Sequence, residues 1–133
     1  MESTLSYKRV DVYPCAIEFL ALAAGLVERV PRGYASLADP LRRASLSIPL
    51  NIAEGAGKSG TADRRRFTEI ARGSAMECAA ILDACRVLGA GAAADLQRGE
   101  LLLTRVVANL HEDAHVADHG RLRSSGAPTG IGS

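Results

Sequence analysis

The chain predicts an all-α protein: an up-down-up-down antiparallel four-helix bundle with a disordered C-terminal tail. Three observations lead there. Apolar residues recur at spacings of three and four through four segments set apart by glycine and proline, the period of one helical face. Hydrophobic residues make up 47% of the chain but aromatics only 4%, with no Trp, so Ala and Leu carry the apolar content and favour close-packed helices. No segment reads as a strand. With 133 residues there is room for one core, assigned here to 1–120, with 121–133 as a flexible tail.

The first segment runs from about Val10 to Val30, with Ile17, Leu20, Ala24 and Val27 on one face. Pro14 is tolerated only in a first turn, so regular helix begins near Tyr13, and "PRG" at 31–33 stops it. The second covers Leu37 to Gly55, with Leu37, Leu41, Ala44, Ile48 and Ile52 marking its core face and Ser45 beside them. Pro49 lies within it and predicts a kink, with a hydroxyl or water at the freed Ser45 carbonyl. "GAGKSG" at 55–60 is a loop. The third opens at Thr61, a plausible N-cap, and ends near Leu88. Phe67, Ile70, Ala71, Ser74, Cys78, Ile81, Leu82 and Cys85 form its stripe. The fourth spans Ala93 to His119, with Gly120 as its C-terminal stop. Helices this short in their connections stack as neighbours in a bundle.

Net charge is +1 and the pI about 7.8, so a nucleic-acid partner would require a local patch or an assembly. Cys15, Cys78 and Cys85 show no C-x-x-C spacing and read as reduced thiols, two of them on the core stripe of the third helix. The start "MESTLSYKRVDVY" does not resemble a signal peptide, and the longest apolar run, "FLALAAGLV", is too short to cross a bilayer. These features place the chain in the cytoplasm, away from membranes.

His111, Glu112 and His115 spell H-E-x-x-H, the zinc-peptidase signature, with His119 beyond. Helical geometry argues against that reading. Measured from Leu103, the three histidines fall at about 80°, 120° and 160°, turning towards solvent. His111 and His115 could chelate a metal across one turn. His119 rises about 12 Å from His111, too far to join them on one ion with bond lengths of about 2 Å. No other convergent ligand is evident, and histidines in a last helical turn suit the dipole. "GAGKSG" also lacks the spacing and preceding strand of a P-loop. No catalytic residue, cofactor or resident metal is therefore assigned.

A longer pattern occupies the second and third helices. Arg42, Arg43, Ala44, Ser47, Ile48, Pro49, Asn51, Ile52, Ala53, Glu54 and Gly55 spell R-R-A-x-x-S-I-P-x-N-I-A-E-G, followed by a basic loop and by Phe67, Gly73, Ser74 and Glu77. This stretch resembles the bacterial four-helix-bundle proteins known as the 23S rRNA intervening-sequence family. Ala56 stands where an aromatic is usual, and the Gly/Ser tail is an addition. The resemblance implies a homo-oligomer, commonly a toroidal pentamer, with no catalytic residues. A related branch is the accessory protein of diversity-generating retroelements, which binds nucleic acid and a protein partner, a reverse transcriptase.

Two groups of side chains follow as candidates. Arg43, Ser47 and Glu54 lie within about 40° of one another, with Asn51 about 80° from Arg43. We expect a polar seam of Arg43, Ser47, Pro49, Asn51, Glu54 and Gly55 against a neighbouring helix or subunit, Arg43 and Glu54 pairing with each other or with Glu77. Loss of Glu54 would then break folding or assembly. The second group is electrostatic. Residues 41–72 hold seven Arg/Lys and three Asp/Glu, whereas 73–120 hold three and seven. Lys58, Arg64, Arg65, Arg66 and Arg72 make the basic excess. RNA or DNA phosphates, or an acidic surface of the next subunit, would each satisfy it. No stacking aromatic is apparent in the patch.

Overall fold

The computed structural model describes the backbone of residues 10–124 and the side chains of residues 10–110. It contains four α-helices and one short 3-10 turn. Helix α1 spans Val12–Arg29 and carries Pro14 in its first turn, where a missing N–H breaks no intrahelical bond. The turn Arg32–Tyr34 takes in the last two residues of "PRG" and leads straight into α2, Ala35–Ala56. Pro40 and Pro49 both lie inside α2, which is nevertheless one continuous helix, with Pro49 buried. Helix α3 covers Thr61–Leu88. Gly60, not Thr61, holds its N-cap position, and the Gly60 carbonyl accepts the Arg64 N–H at 3.0 Å.

Gly89 ends α3 with φ of 69°, a left-handed conformation that side chains with a Cβ disfavour. Its N–H donates to the Arg86 carbonyl, and the Ala90 N–H reaches back to Cys85 at 2.8 Å. That pair of bonds is a Schellman closure, with buried Ala90 over buried Cys85 as its apolar contact. Helix α4 runs Ala93–Ser124. It therefore passes through Gly120, which does not stop it; a single glycine costs a helix interior only about 1 kcal/mol relative to alanine. Residues 125–133, most of the expected tail, lie outside the described residues.

Each helix packs on two others. α1 lies against α2 and α4, and α3 against α2 and α4, so sequence neighbours are spatial neighbours and the α1–α2 and α3–α4 seams face opposite sides. The core is built from Phe19, Leu41, Ile48, Leu82, Leu102, Leu103, Val106 and Leu110, interleaved with buried alanines. Buried Gly99 lets α4 close on two helices at once: a Cβ there would stand 3.0 Å from Leu82 and 3.1 Å from Leu22. Half-exposed ion pairs span three seams: Arg43–Glu77 between α2 and α3, Arg86–Glu100 between α3 and α4, and Arg29–Asp95 with Arg98–Glu18 between α1 and α4.

The predicted face of α1 is off by one residue. Val12, Ala16, Phe19, Ala23 and Leu26 are buried with Val27, whereas Ile17 and Ala24 are exposed and Leu20 is half-buried. The cause is composition: "FLALAAGLV" is apolar on nearly every side, so periodicity alone cannot choose a phase. On α3 the expected stripe is buried from Ala71 to Cys85, but Ile70 is exposed and Phe67 only half-buried.

Candidate functional site

The seam between α2 and α3 begins with a close approach. Gly55, on the last turn of α2, is buried, and a Cβ there would lie 3.1 Å from the Phe67 Cβ and 3.5 Å from the Arg64 carbonyl oxygen. About two turns further into the bundle, Ser47 and Ser74 share a hydroxyl–hydroxyl hydrogen bond of 2.8 Å. Asn51 donates its amide to the Ser47 carbonyl at 2.8 Å and to the Ser47 hydroxyl at 3.0 Å. Among the described residues, no buried side-chain nitrogen or oxygen lacks a partner. The uncharged part of the seam is thus a closed hydrogen-bonding unit between two helices.

The charged residues sit at its rim. Arg43 pairs with Glu77 across the seam, but their side chains are 63% and 40% exposed. Glu54 reaches neither. It is 54% exposed and pairs within its own chain segment with Lys58, at 3.2 Å. Within one protomer, then, the expected buried charge seam is a half-buried hydroxyl–amide seam with an exposed ionic edge.

The basic residues divide into two groups. Lys58, Arg64 and Arg66 gather where α2 ends and α3 begins. Arg64 Nε donates to the Lys58 carbonyl at 3.1 Å and ties the loop to the helix. The Lys58 ammonium lies over the Phe67 ring, 5.4 Å from its centroid, and the Arg66 guanidinium lies 5.0 Å from the same centroid. Arg65 is half-buried and pairs with Glu69 at 3.1 Å. Arg72 is exposed about 9 Å further along α3 and about 120° round from Arg66, on the flank nearer α4. The sequence pattern found the cations but missed Phe67, because its place in the apolar stripe of α3 reads as core.

The thiols are protected. Burial, reinforced by the neighbouring Glu77 carboxylate and opposed by Arg43, pushes Cys78 up from 9.0 to about 12. Burial also raises Cys85. Both stay protonated at neutral pH, the unreactive form. Among the described residues no group of three His, Cys, Asp or Glu side chains is placed to hold a metal. His111, His115 and His119 lie on the α4 backbone but outside the residues whose side chains are described.

Two grooves mark the opposite sides of the bundle. One, about 170 Å³ between α1 and α2, is lined by Leu20, Ala24, Val27 and the flanks of Glu28, Arg42 and Ser45. Leu46 and Leu50 are exposed on the outer face of α2, away from this groove. The other, about 340 Å³ between α3 and α4, is lined by Met76, Ala79, Leu103, Val107 and Ala108 with Glu100 and Thr104. No helix among the described residues is long and apolar enough to cross a membrane.

Fold and seam together define an up-and-down four-helix-bundle protein whose α2–α3 pair is locked by hydroxyls and a close glycine contact. The chain belongs to the 23S rRNA-intervening sequence protein family, whose model matches residues 8–112 and so takes in α1 to α3 and the first part of α4. No curated protein matches the chain.

Proposed function

We propose that this protein is a non-catalytic scaffold that assembles with copies of itself and carries nucleic acid on the basic end formed by the α2–α3 loop. The observation that carries the nucleic-acid part is the gathering of Lys58, Arg64 and Arg66 at one end of the bundle, with Arg65 and Arg72 on the adjoining turns. Glu54, Asp63 and Glu69 offset part of that charge, so one protomer binds phosphate weakly. Repetition in an assembly supplies the strength, because linked sites bind with an effective concentration that one site lacks.

The two apolar grooves support the assembly. They face away from each other and differ in composition, so the contact between copies is head-to-tail: the α1–α2 groove of one protomer against the α3–α4 groove of the next. Head-to-tail contacts generate rings when the rotation closes, as in the five-subunit ring that the family resemblance implies. Rotation about an axis along the helices would bring every basic end to the same rim.

Sedimentation mass and salt-dependent RNA and DNA binding test the two halves separately. The expected results are a closed oligomer, and an affinity that falls steeply with salt and is lost when Arg64, Arg65 and Arg66 are neutralised together. A second reading, a purely structural assembly module, draws on the internal pairing of Lys58 with Glu54 and of Arg65 with Glu69. An oligomer with no salt-dependent binding would select it.

A further inference from the structure

The cations beside the α2–α3 loop surround an aromatic ring. Phe67 is half-buried on the second turn of α3, its Cβ pressed towards Gly55, with Lys58 and Arg66 over its ring. An aromatic that only filled core space would be covered by apolar side chains. Here two long, flexible cations provide the cover. Lys58 stands outside regular helix, its carbonyl tied to Arg64. Its ammonium is held between the Phe67 ring and the exposed Glu54 carboxylate, a surface pair that a phosphate can replace.

The geometry points to Phe67 as a base-stacking residue for single-stranded nucleic acid, covered by Lys58 and Arg66 until phosphates draw them away. This rests on the nucleic-acid reading above and sharpens it. Each cation over an exposed ring is worth roughly a two- to fivefold factor in equilibrium, so the two together are worth roughly four- to 25-fold, whereas a base stacked on an aromatic side chain is worth roughly five- to 150-fold. The displaced ammonium and guanidinium each gain a phosphate partner, and that gain tips the exchange towards the base. Only unpaired bases offer a free face, since those of a duplex are already stacked. One ring per protomer reads no sequence, so the preference is for strandedness and not for a particular base.

The test compares three probes on the full-length protein: a short oligo(dT), a duplex of equal length, and an abasic strand with the same phosphates. The expected result is binding of oligo(dT) about tenfold tighter than either other probe. Phe67→Leu, which keeps an apolar side chain against Gly55, reduces oligo(dT) to the abasic level without changing the salt slope, and Phe67→Tyr retains the preference. Because the probe comparison uses the wild-type chain, it stands even if Phe67→Leu unfolds. Equal affinity for oligo(dT) and the abasic strand, with a steep salt dependence, overturns stacking and leaves the electrostatic reading intact. Binding of polyglutamate as tight as oligo(dT) marks an acidic protein surface as the partner and also overturns stacking. Absence of salt-dependent binding to every probe overturns both readings.

Discussion

Gly55→Ala isolates the contact on which the α2–α3 pairing depends. The added methyl would sit 3.1 Å from the Phe67 Cβ and 3.5 Å from the Arg64 carbonyl oxygen. Carbon atoms in contact rest at about 3.5–4.0 Å, so the first distance is a clash. A Cβ cannot swing aside as a side-chain tip can, and relief requires α2 and α3 to move apart at this level. Overpacking of this kind costs about 1–3 kcal/mol. Against it stands the helical preference of alanine over glycine, about 1 kcal/mol. The net expectation is a destabilisation of about 1 kcal/mol, reaching about 2 if the helices resist separation. Gly25→Ala supplies the control. It lies within α1 with no heavy atom within 4 Å of its added Cβ, so only the propensity gain applies and the variant is stabilised by about 0.5–1 kcal/mol. Urea unfolding of both variants at one fixed protein concentration reads the difference, a split of roughly 1.5–3 kcal/mol. A Gly55→Ala protein as stable as Gly25→Ala would refute the close approach.

Head-to-tail assembly makes an unusual mixing prediction. Ala24→Asp blocks the α1–α2 groove and Met76→Asp the α3–α4 groove, so each variant alone is monomeric. Mixed, they form a heterodimer through the one intact pair of faces, and sedimentation that shows only monomers in the mixture rules out the arrangement. Glu54→Ala should change the unfolding free energy of the protomer by no more than about 0.5 kcal/mol, since an exposed i, i+4 pair is worth little; a loss above about 2 kcal/mol would mean Glu54 is buried. Cys78 holds its proton in the fold up to about pH 12, whereas its ordinary value is 9.0. The resulting stabilisation is complete below pH 9 and drains away as pH climbs towards 12, so Cys78→Ala should flatten the alkaline fall in stability by at most about 1.4 kcal/mol per pH unit. Identical alkaline limbs for the two proteins would show that Cys78 does not contribute.

The helices were readable because their ends carry local signals. Pro14, "PRG", "GAGKSG" and the glycines after Leu88 act within a few residues and need no tertiary partner. The phase of α1 was not readable in that way. Ile17 and Leu20 are as apolar as Phe19 and Leu26, and only the positions of α2 and α4 decide which pair turns inward. The same limit applies to the site. Ser47, Asn51 and Ser74 stood out as polar residues beside an apolar stripe, yet the bond between Ser47 and Ser74 joins residues 27 positions apart. Glu54 has cations available both on its own helix, at Arg43, and four residues on in the loop, at Lys58, and the sequence does not rank them. The fold places Lys58 within reach and gives Arg43 to Glu77. Phe67 was hidden by the opposite error: its spacing fits the core so well that an exposed role leaves no mark in the sequence.

The stretch "SIPLNIAEG" is best understood as a pairing device, because Ser47, Asn51 and Gly55 each act on the neighbouring helix or prepare another residue to do so. Ser47 bonds Ser74, Asn51 orients Ser47, and Gly55 admits Phe67. Replacing Ser74 by alanine would still leave Ser47 Oγ an amide donor from Asn51, so that loss is mild, about 1 kcal/mol. Replacing Asn51 by leucine, in contrast, removes the group that fixes the Ser47 hydroxyl and puts a branched side chain beside a hydroxyl pair sized for an amide. The motif therefore fixes spacing and register, and its consequence for function is indirect. By setting how closely α2 approaches α3 at Gly55, it sets where the loop emerges and where Lys58 and Arg66 meet the ring of Phe67.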